Sequence, residues 1–335
     1  MSVVVRRRLL PFSGMATRTE FFEHFGIIGQ APDLVEITKN AYKELEERNW
    51  RENLNQSPHG RPWFTSFHAS AFPDMDKPCG RLALYTMLNI PRDEPNPIIL
   101  PATGHIGQAV EYQIVYRWGL QGLTIAGSQP LWDGATMKQS RFEDDDTWLT
   151  GSMDAVLDLR QHGIDYVVPV DVKSKNHDVV QEMQLGRRSY EQKHYLQLQA
   201  YLYLCNIFHG DMGWGEMGLE PARGGYIFYA SRQNPSVTHA FFVEIDWELI
   251  QRGTALLQEW RGDFISDNLP ERPKEWRWTE EPCKYCPMKR HACKPDNKDK
   301  VSNLRESNGV KWISNFRPTY NYDEIKEEVI ERWDR

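Results

Sequence analysis

Tyr166-Val-Val-Pro-Val-Asp-Val-Lys173 opens as an apolar run rich in β-branched residues and closes on Asp171-Val172-Lys173. The run predicts a buried central strand. Residues two apart on a strand share a face, so Asp171 and Lys173 project together. A carboxylate and an amine at the end of a buried strand are costly unless they pair or bind something. Working outward, Gly151-Ser-Met-Asp-Ala-Val-Leu-Asp-Leu159 predicts the preceding strand and brings in Asp154. The polar stretch Arg160-Gln-His-Gly163 between the two predicts an antiparallel hairpin. Two acids and a lysine on adjacent strands suit metal-dependent phosphodiester chemistry.

The flanking segments add polar groups to the same place. Gly104–Trp118 has helical periodicity, and Glu111, Ile114, Val115 and Trp118 fall on one stripe, which puts a carboxylate on the apolar face. His105 lies near that helix's start on another stripe; capping is its ordinary role, metal ligation its alternative. After the hairpin, 177–188 is expected to be a polar connection with Arg187 and Arg188 exposed. Ser189–Phe208 is expected to be a helix capped by Ser189, with Lys193, Gln197 and Tyr201 four apart on one face. Mg²⁺ or Mn²⁺ takes oxygen ligands, commonly one or two carboxylates with waters and substrate phosphate. Asp154 and Asp171 supply two carboxylates, the Val172 carbonyl a third oxygen, and Glu111 completes the set. Lys173 would orient or deprotonate the attacking water and steady the charge on phosphorus. Gln197 and Tyr201 would hold Lys173 or the scissile phosphate. Glu143-Asp-Asp-Asp146 is expected to be a solvated loop.

Beyond this core, Gly225–Ser231 and Thr238–Asp246 predict two strands and Trp247–Asp267 a long helix, so the fold class is α/β with a mixed sheet flanked by helices. Glu20–Asn53 is expected to be helical with a break at Pro32, and Asn89–Pro101, with four prolines, to be a connector. Residues 1–18 are expected to be unstructured, 19–300 to form one domain, and 301–335 a charged tail ending in a helix. No apolar run approaches the roughly 20 residues of a membrane span. The net charge of −7 argues against a surface that is basic throughout, although a local basic groove is compatible with it. Lys175, Arg187, Arg188 and Lys193 are candidates for such a path. The twelve tryptophans are expected to be mostly core.

Five cysteines, an odd number, with no secretory signal argue for a reducing compartment, so the cytoplasm is expected, the host cell's if the chain is phage-encoded. Cys283-Lys-Tyr-Cys286 followed, after six intervening residues, by Cys293 is a dense triplet that needs a fourth ligand. His291 would make a Cys₃His zinc site. Cys79 would make a Cys₄ site for zinc or an iron–sulfur cluster and close a loop of about 200 residues. Cys205 falls on the apolar face of a helix and reads as core.

Taken together, Cys79-Gly-Arg81, Gly107-Gln-Ala-Val-Glu111, Gly151-Ser-Met-Asp154, Asp171-Val-Lys173, Gln197-Leu-Gln-Ala-Tyr201 and the late cysteine triplet resemble, in content and order, the PD-(D/E)XK nucleases. Within them they resemble the RecB-like exonucleases: the AddB nuclease domain and the CRISPR-associated RecB-like exonucleases with their phage relatives. The resemblance runs from about Phe67 to Cys293. It departs from the commoner pattern in Glu111, where His is usual, and in the spacing of Cys286 and Cys293. It implies a restriction-endonuclease-like core, a structural [4Fe–4S] cluster on Cys79, Cys283, Cys286 and Cys293, and Mg²⁺ or Mn²⁺ at the acids. It also implies exonucleolytic hydrolysis of single-stranded DNA or DNA ends in recombination, repair or phage replication, with a helicase or recombinase as partner. The alternative is a nuclease-fold adaptor that binds DNA or protein without cutting, its cysteines holding zinc.

Overall fold

The computed structural model describes residues 66–74, 78–88, 99–130, 137–139 and 141–271, with Cys283, Cys286, Cys293, Lys300, Val301, Lys326, Glu327, Ile330 and Glu331 beyond them. All of these belong to one compact unit, Arg48–Arg335. The expectations for 1–18, the helix within 20–53, the connector 89–98, most of the 322–334 helix and His291 lie outside the described residues.

The first elements are strand β1 (Phe67–His68), helix α1 (Gly80–Met87) and helix α2 (Ile99–Leu120). They are followed by strands β2 (Thr124–Pro130), β3 (Met137–Gln139), β4 (Arg141–Asp144), β5 (Leu149–Ser152), β6 (Ala155–Leu157) and β7 (Val168–Lys175). Helices α3 (His177–Gln184) and α4 (Gln192–Ile207), strands β8 (Gly224–Ser231) and β9 (Thr238–Glu244), and helix α5 (Trp247–Ile265) complete the set. Six strands form a sheet in the order β3-β2-β6-β7-β8-β9, and β1-β5-β4 form a second, smaller one. Only β7 and β8 run parallel in the larger sheet. Helices α3 and α4 make the crossover between them, as a parallel pair requires.

β7 lies at the centre of the larger sheet and is covered on both faces. Val168, Val170 and Val172 pack with Val110, Ile114 and Val115 of α2 in one apolar cluster, and Leu198 of α4 packs with Ile227 and Tyr229 of β8 in the other. Five consecutive residues, Val168–Val172, are buried. This is the pattern of a two-sided strand, and it explains why the run that announces β7 does not alternate. Trp148, Trp214 and Trp260 are core, whereas Trp247 is exposed.

The predicted strand 151–159 is two strands. The chain leaves the smaller sheet at Ser152 and enters the larger one at Ala155, with Met153 and Asp154 at the corner. Gly127 makes the corner possible. Its φ of +107° suits glycine, and a Cβ there would lie 2.8 Å from the Asp154 carbonyl oxygen and 2.7 Å from the Ala155 Cα. The β2–β6 register shifts between Thr124 and Ala126, just before this glycine. The β6–β7 pair is antiparallel as expected, although a ten-residue connection with a 3₁₀ turn at Arg160–His162 replaces a tight turn.

Other expectations are corrected. The stretch 177–188 holds helix α3, because Val180 and Met183 are buried at helical spacing among polar neighbours. The cap of α4 is Glu191, not Ser189, and it makes no side-chain capping bond. α2 begins at Ile99, inside the expected connector, with Pro101 in its first turn, where a missing N–H costs nothing. Asp144 is not solvated; it is buried at the end of β4 and accepts hydrogen bonds from the Thr147 hydroxyl, the Tyr203 hydroxyl (2.9 Å) and the Asp146 amide (3.2 Å). Among the described residues no helix is long and apolar enough to cross a membrane.

Gly151 lets α4 lie directly on β5. A Cβ there would meet Leu204 Cδ1 at 2.9 Å and Tyr201 Cε1 at 3.0 Å. Gly151→Ala is therefore expected to lower unfolding free energy by about 1–3 kcal/mol through overpacking, measured by urea unfolding; an unchanged midpoint would show that the helix shifts freely.

Candidate active site

β7 presents Asp171 and Lys173 on one face, toward α4. Asp171 is fully buried, and Lys173 Nζ lies 2.8 Å from its Oδ1. Apart from that ion pair, neither Asp171 carboxylate oxygen has a hydrogen-bond partner. Burial raises the Asp171 carboxyl from its ordinary 3.8 to about 7, against the pull of Lys173 and with the help of Asp154. Burial works against the Lys173 charge too, but Asp171 and Asp154 outweigh it, and the amine is held above its usual range. At neutral pH Lys173 keeps its proton.

The ammonium is aimed by a relay. Lys173 Nζ donates to Gln197 Oε1 (3.2 Å), Gln197 Nε2 donates to the Tyr201 hydroxyl (2.7 Å), and that hydroxyl donates to the Ser152 carbonyl (3.0 Å). Gln197 and Tyr201 are one turn apart on α4, which explains their spacing. They act on Lys173 and on the corner beside Asp154, and so are positioning residues.

Asp154 sits at the corner between the sheets, and its Oδ2 accepts the Val172 amide at 2.6 Å. Burial pushes its carboxyl well up, and Glu111 adds to the push. Glu111, on α2, is also raised by burial while hydrogen-bonding Asp154. Each of the two carboxyl groups therefore holds its proton more tightly than a free one. The approach of α2 is set by Gly107, where a Cβ would lie 2.9 Å from Ser174 Oγ of β7. One turn later the same helix delivers Glu111. The side chain of His105, in α2, lies outside the described residues.

A network missed by the sequence reading braces the start of α4. His194, buried, pairs its Nδ1 with the Tyr229 hydroxyl (2.7 Å), and Tyr229 is the register partner of Lys173. The Glu191 amide donates to the same hydroxyl at 3.2 Å. Glu191 forms ion pairs with Lys175 and with Lys193 (3.1 Å). Burial and then Lys173 push His194 down to about 3, so its ring is neutral. The signal in the sequence was Glu191-x-x-His194, one turn before Gln197. The proposed basic path is therefore mostly compensated: Lys175 and Lys193 share Glu191, Arg188 stands 3.6 Å from Glu182, and Arg187 is exposed.

Among the described residues no three His, Cys, Asp or Glu side chains are drawn together into a set that holds a metal ion as they stand. Mg²⁺ needs less, since it keeps several waters and binds through one or two carboxylates. The buried oxygens of Asp171, which have no partner besides Lys173, fit such a cation. Burial pushes up the thiol of Cys79, at the N-cap of α1, and the nearby Cys293, 214 residues later in the chain, adds to the push. Cys283 and Cys293 are buried, Cys286 is partly so, and the Cys286 amide donates to the Cys283 carbonyl at 3.2 Å. Cys205 is core, against Met153.

A central strand with an acid and a lysine, a second acid at the corner between the sheets, a glutamine and a tyrosine that fix the lysine, and a third acid on a covering helix form a cluster suited to phosphodiester hydrolysis. The sequence profile of the PD-(D/E)XK nuclease superfamily matches residues 105–294, 190 of the 335, and the chain belongs to that superfamily. Among solved structures it is similar to an alkaline exonuclease (LHK-Exo) from Laribacter hongkongensis, at 11% identity and a TM-score of 0.35. The same enzyme in complex with dAMP gives 13% and 0.36; each comparison covers 65% of this chain and 91% of the other. No curated protein matches the chain.

The acid cluster makes stability depend on pH and metal. The carboxyl groups of Asp171, Asp154 and Glu111 hold protons more tightly in the folded state than in the unfolded chain. Their contribution is present below about pH 4 and lost as pH rises through the folded-state values, which for Asp171 means toward 7. Metal-free protein is expected to melt lower at pH 8 than at pH 5, Mg²⁺ to recover more of the loss at pH 8, and Asp171→Asn to melt higher than wild type in EDTA at pH 8. Thermal unfolding measures all three, and a melting temperature in EDTA that rises from pH 5 to 8 would contradict the assignment.

Proposed function

We propose that this chain is a metal-dependent DNA exonuclease acting on single strands or DNA ends, with a structural [4Fe–4S] cluster. The observation that carries the nuclease reading is the buried Asp171–Lys173 pair, whose carboxylate oxygens are otherwise unpartnered and whose ammonium is fixed by the relay to Ser152. Exonucleolytic action and DNA ends are carried over from the motif resemblance. Asp154, Asp171 and the Val172 carbonyl would hold Mg²⁺ or Mn²⁺, with Glu111 behind Asp154. A divalent cation there supplies polarisation of a phosphoryl oxygen and a bound water acidic enough to attack near neutral pH. Lys173, which keeps its proton, orients the water through an N–H and offsets the negative charge that grows on the phosphoryl oxygens. Gln197 and Tyr201 keep the ammonium in place as that charge forms. A cation there would need these carboxyl groups ionised, and burial favours their protonated forms, so cation affinity would rise with pH.

For the cluster, Cys79, Cys283, Cys286 and Cys293 are the ligands. What supports it is that Cys79 and Cys293 lie near one another in the fold and that all four are at least partly buried thiols. Such a cluster would tie the start of the nuclease core to its end.

The test is an assay on end-labelled linear DNA, single-stranded and duplex, with anaerobically purified protein in Mn²⁺, Mg²⁺ or EDTA. Wild type is expected to release labelled products only with metal, and Lys173→Ala or Asp171→Ala to lose at least 10³-fold in rate, on the scale of losing a preorganised charge stabiliser. Retained cutting in either variant would sink the site assignment. Iron content provides a separate test: Cys79→Ser should lose iron and Cys205→Ser should keep it, while stoichiometric zinc without iron in wild type would replace the cluster with a zinc staple.

A further inference from the structure

Glu191 is the N-cap residue of α4, yet its side chain makes no capping bond. Its backbone is fixed, since its amide donates to the buried Tyr229 hydroxyl at 3.2 Å. Its carboxylate bridges two ammoniums instead: Oε1 takes Lys175, and Oε2 takes Lys193 at 3.1 Å. His194 Nε2 stands 3.7 Å from Oε2, but that ring is neutral. Among the described residues the two lysines are therefore the cations that hold this carboxylate.

The bridge lies on the active-site side of the sheet. Asp171, Lys173 and Lys175 alternate onto one face of β7. The contact of Lys175 with Glu191, and of Lys173 with Gln197, shows that α4 covers this face. His194, between those two α4 residues, feels the charges of Lys173, Lys175, Lys193 and Glu191 together. Lys175 lies about 6.6 Å beyond Lys173 at 3.3 Å per residue, the scale of one nucleotide along a strand.

Unlike Asp171, the bridge is open to water. The side chains of Lys175, Glu191 and Lys193 are 20%, 28% and 69% exposed. Ion pairs that water reaches hold weakly, so an anion from outside can take the place of the carboxylate. Each Glu191 oxygen engages one ammonium, as the two unbridged oxygens of a phosphodiester would. A carboxylate and a phosphodiester each carry one negative charge, so the exchange preserves the local charge balance. A carboxylate that stayed in place would repel a strand lying along Lys173 and Lys175.

We propose that Glu191 occupies, in the free protein, the seat of the phosphodiester adjoining the one that is cut, and that a DNA strand displaces it from Lys175 and Lys193. The inference rests on the nuclease reading and adds to it a backbone contact outside the acid cluster, guarded by a built-in competitor. The contact reads phosphate and not base.

The experiment compares wild type with Glu191→Gln, Glu182→Gln and the double variant Lys175→Gln/Lys193→Gln, each first shown to keep the wild-type melting temperature. Binding of a fluorescent single-stranded oligonucleotide is followed by anisotropy across a NaCl series in EDTA. Glu191→Gln should bind about tenfold more tightly, because a like charge leaves the path of the strand. Glu182, on α3 and 3.6 Å from Arg188, is the control, and Glu182→Gln should bind as wild type does. The double lysine variant should bind more weakly, with the slope of log K against log salt reduced by about 0.7, one single-strand phosphate contact. Unchanged or weaker binding by Glu191→Gln, equal tightening by Glu182→Gln, or an unchanged slope in the double variant would overturn the exchange. A second measurement needs wild type alone. In Mn²⁺, a neutral methylphosphonate beside the scissile bond, tried on each side in turn, should slow cutting from one side; no slowing from either would remove the seat. Wild type that neither binds nor cuts would overturn the nuclease reading and the seat with it. Wild type that does both, with Glu191→Gln indistinguishable from it, would remove the exchange alone.

Discussion

A lysine and an aspartate, two residues apart on a strand buried on both faces, constrain everything around them. Removing two charges from water costs several kcal/mol apiece, and their attraction seldom returns all of it. Apolar residues of similar volume at 171 and 173 would serve the sheet as well. The surrounding structure instead supports the pair: α4 brings a glutamine to the amine, a tyrosine to the glutamine and a main-chain carbonyl to the tyrosine. Glu191 and His194 anchor the start of that helix to Tyr229, which lies beside Lys173 in the register. With Lys173 paired to Asp171, the two remaining acids, Asp154 and Glu111, are the charge that a divalent cation would offset under the proposed reading. A buried pair kept at this cost is what the proposed chemistry requires.

The sheet and its centre were legible because β7 declares itself by composition alone. A β-branched run interrupted late by two charges leaves few alternatives. The order of the motifs located Glu111, Gln197 and Tyr201 on their helices, since helical spacing carries over directly into shared faces. The split of the strand at Asp154 was not legible. Gly151–Leu159 alternates well enough for one strand, and the cause of the break is Gly127, 27 residues away, whose left-handed backbone opens the corner. The buried position of Asp144 was hidden for a similar reason. Four consecutive acids look solvated until Tyr203, on a later helix, supplies a hydroxyl for one of them. Glu191 as the cap of α4 was masked by Ser189, a better capping residue in isolation that lies two positions too early.

The glycines of the two motif pairs have a common purpose. Gly107 and Gly151 carry no catalytic group, yet each stands one turn or three residues before an acid and removes the side chain that would hold an element away. At Gly107 the gap is between α2 and Ser174; at Gly151 it is between β5 and Tyr201. What looks in sequence like a glycine–acid signature is, in three dimensions, a spacing rule, in which the acid reaches the site because the backbone behind it comes close.

Asp154 lies where the chain passes from one sheet to the other, and Lys173 is aimed from a helix formed after both. The acids and the lysine are all present once the chain has been made as far as β7, but they are not yet a site. α4 must dock to fix Lys173 and hold Ser152, and β8 must add in parallel, a non-local pairing that forms slowly. The site is thus not contained in the segment that carries its charged groups: Gln197, Tyr201 and Tyr229, which hold Lys173 and the corner beside Asp154 in place, all come from elements later in the chain.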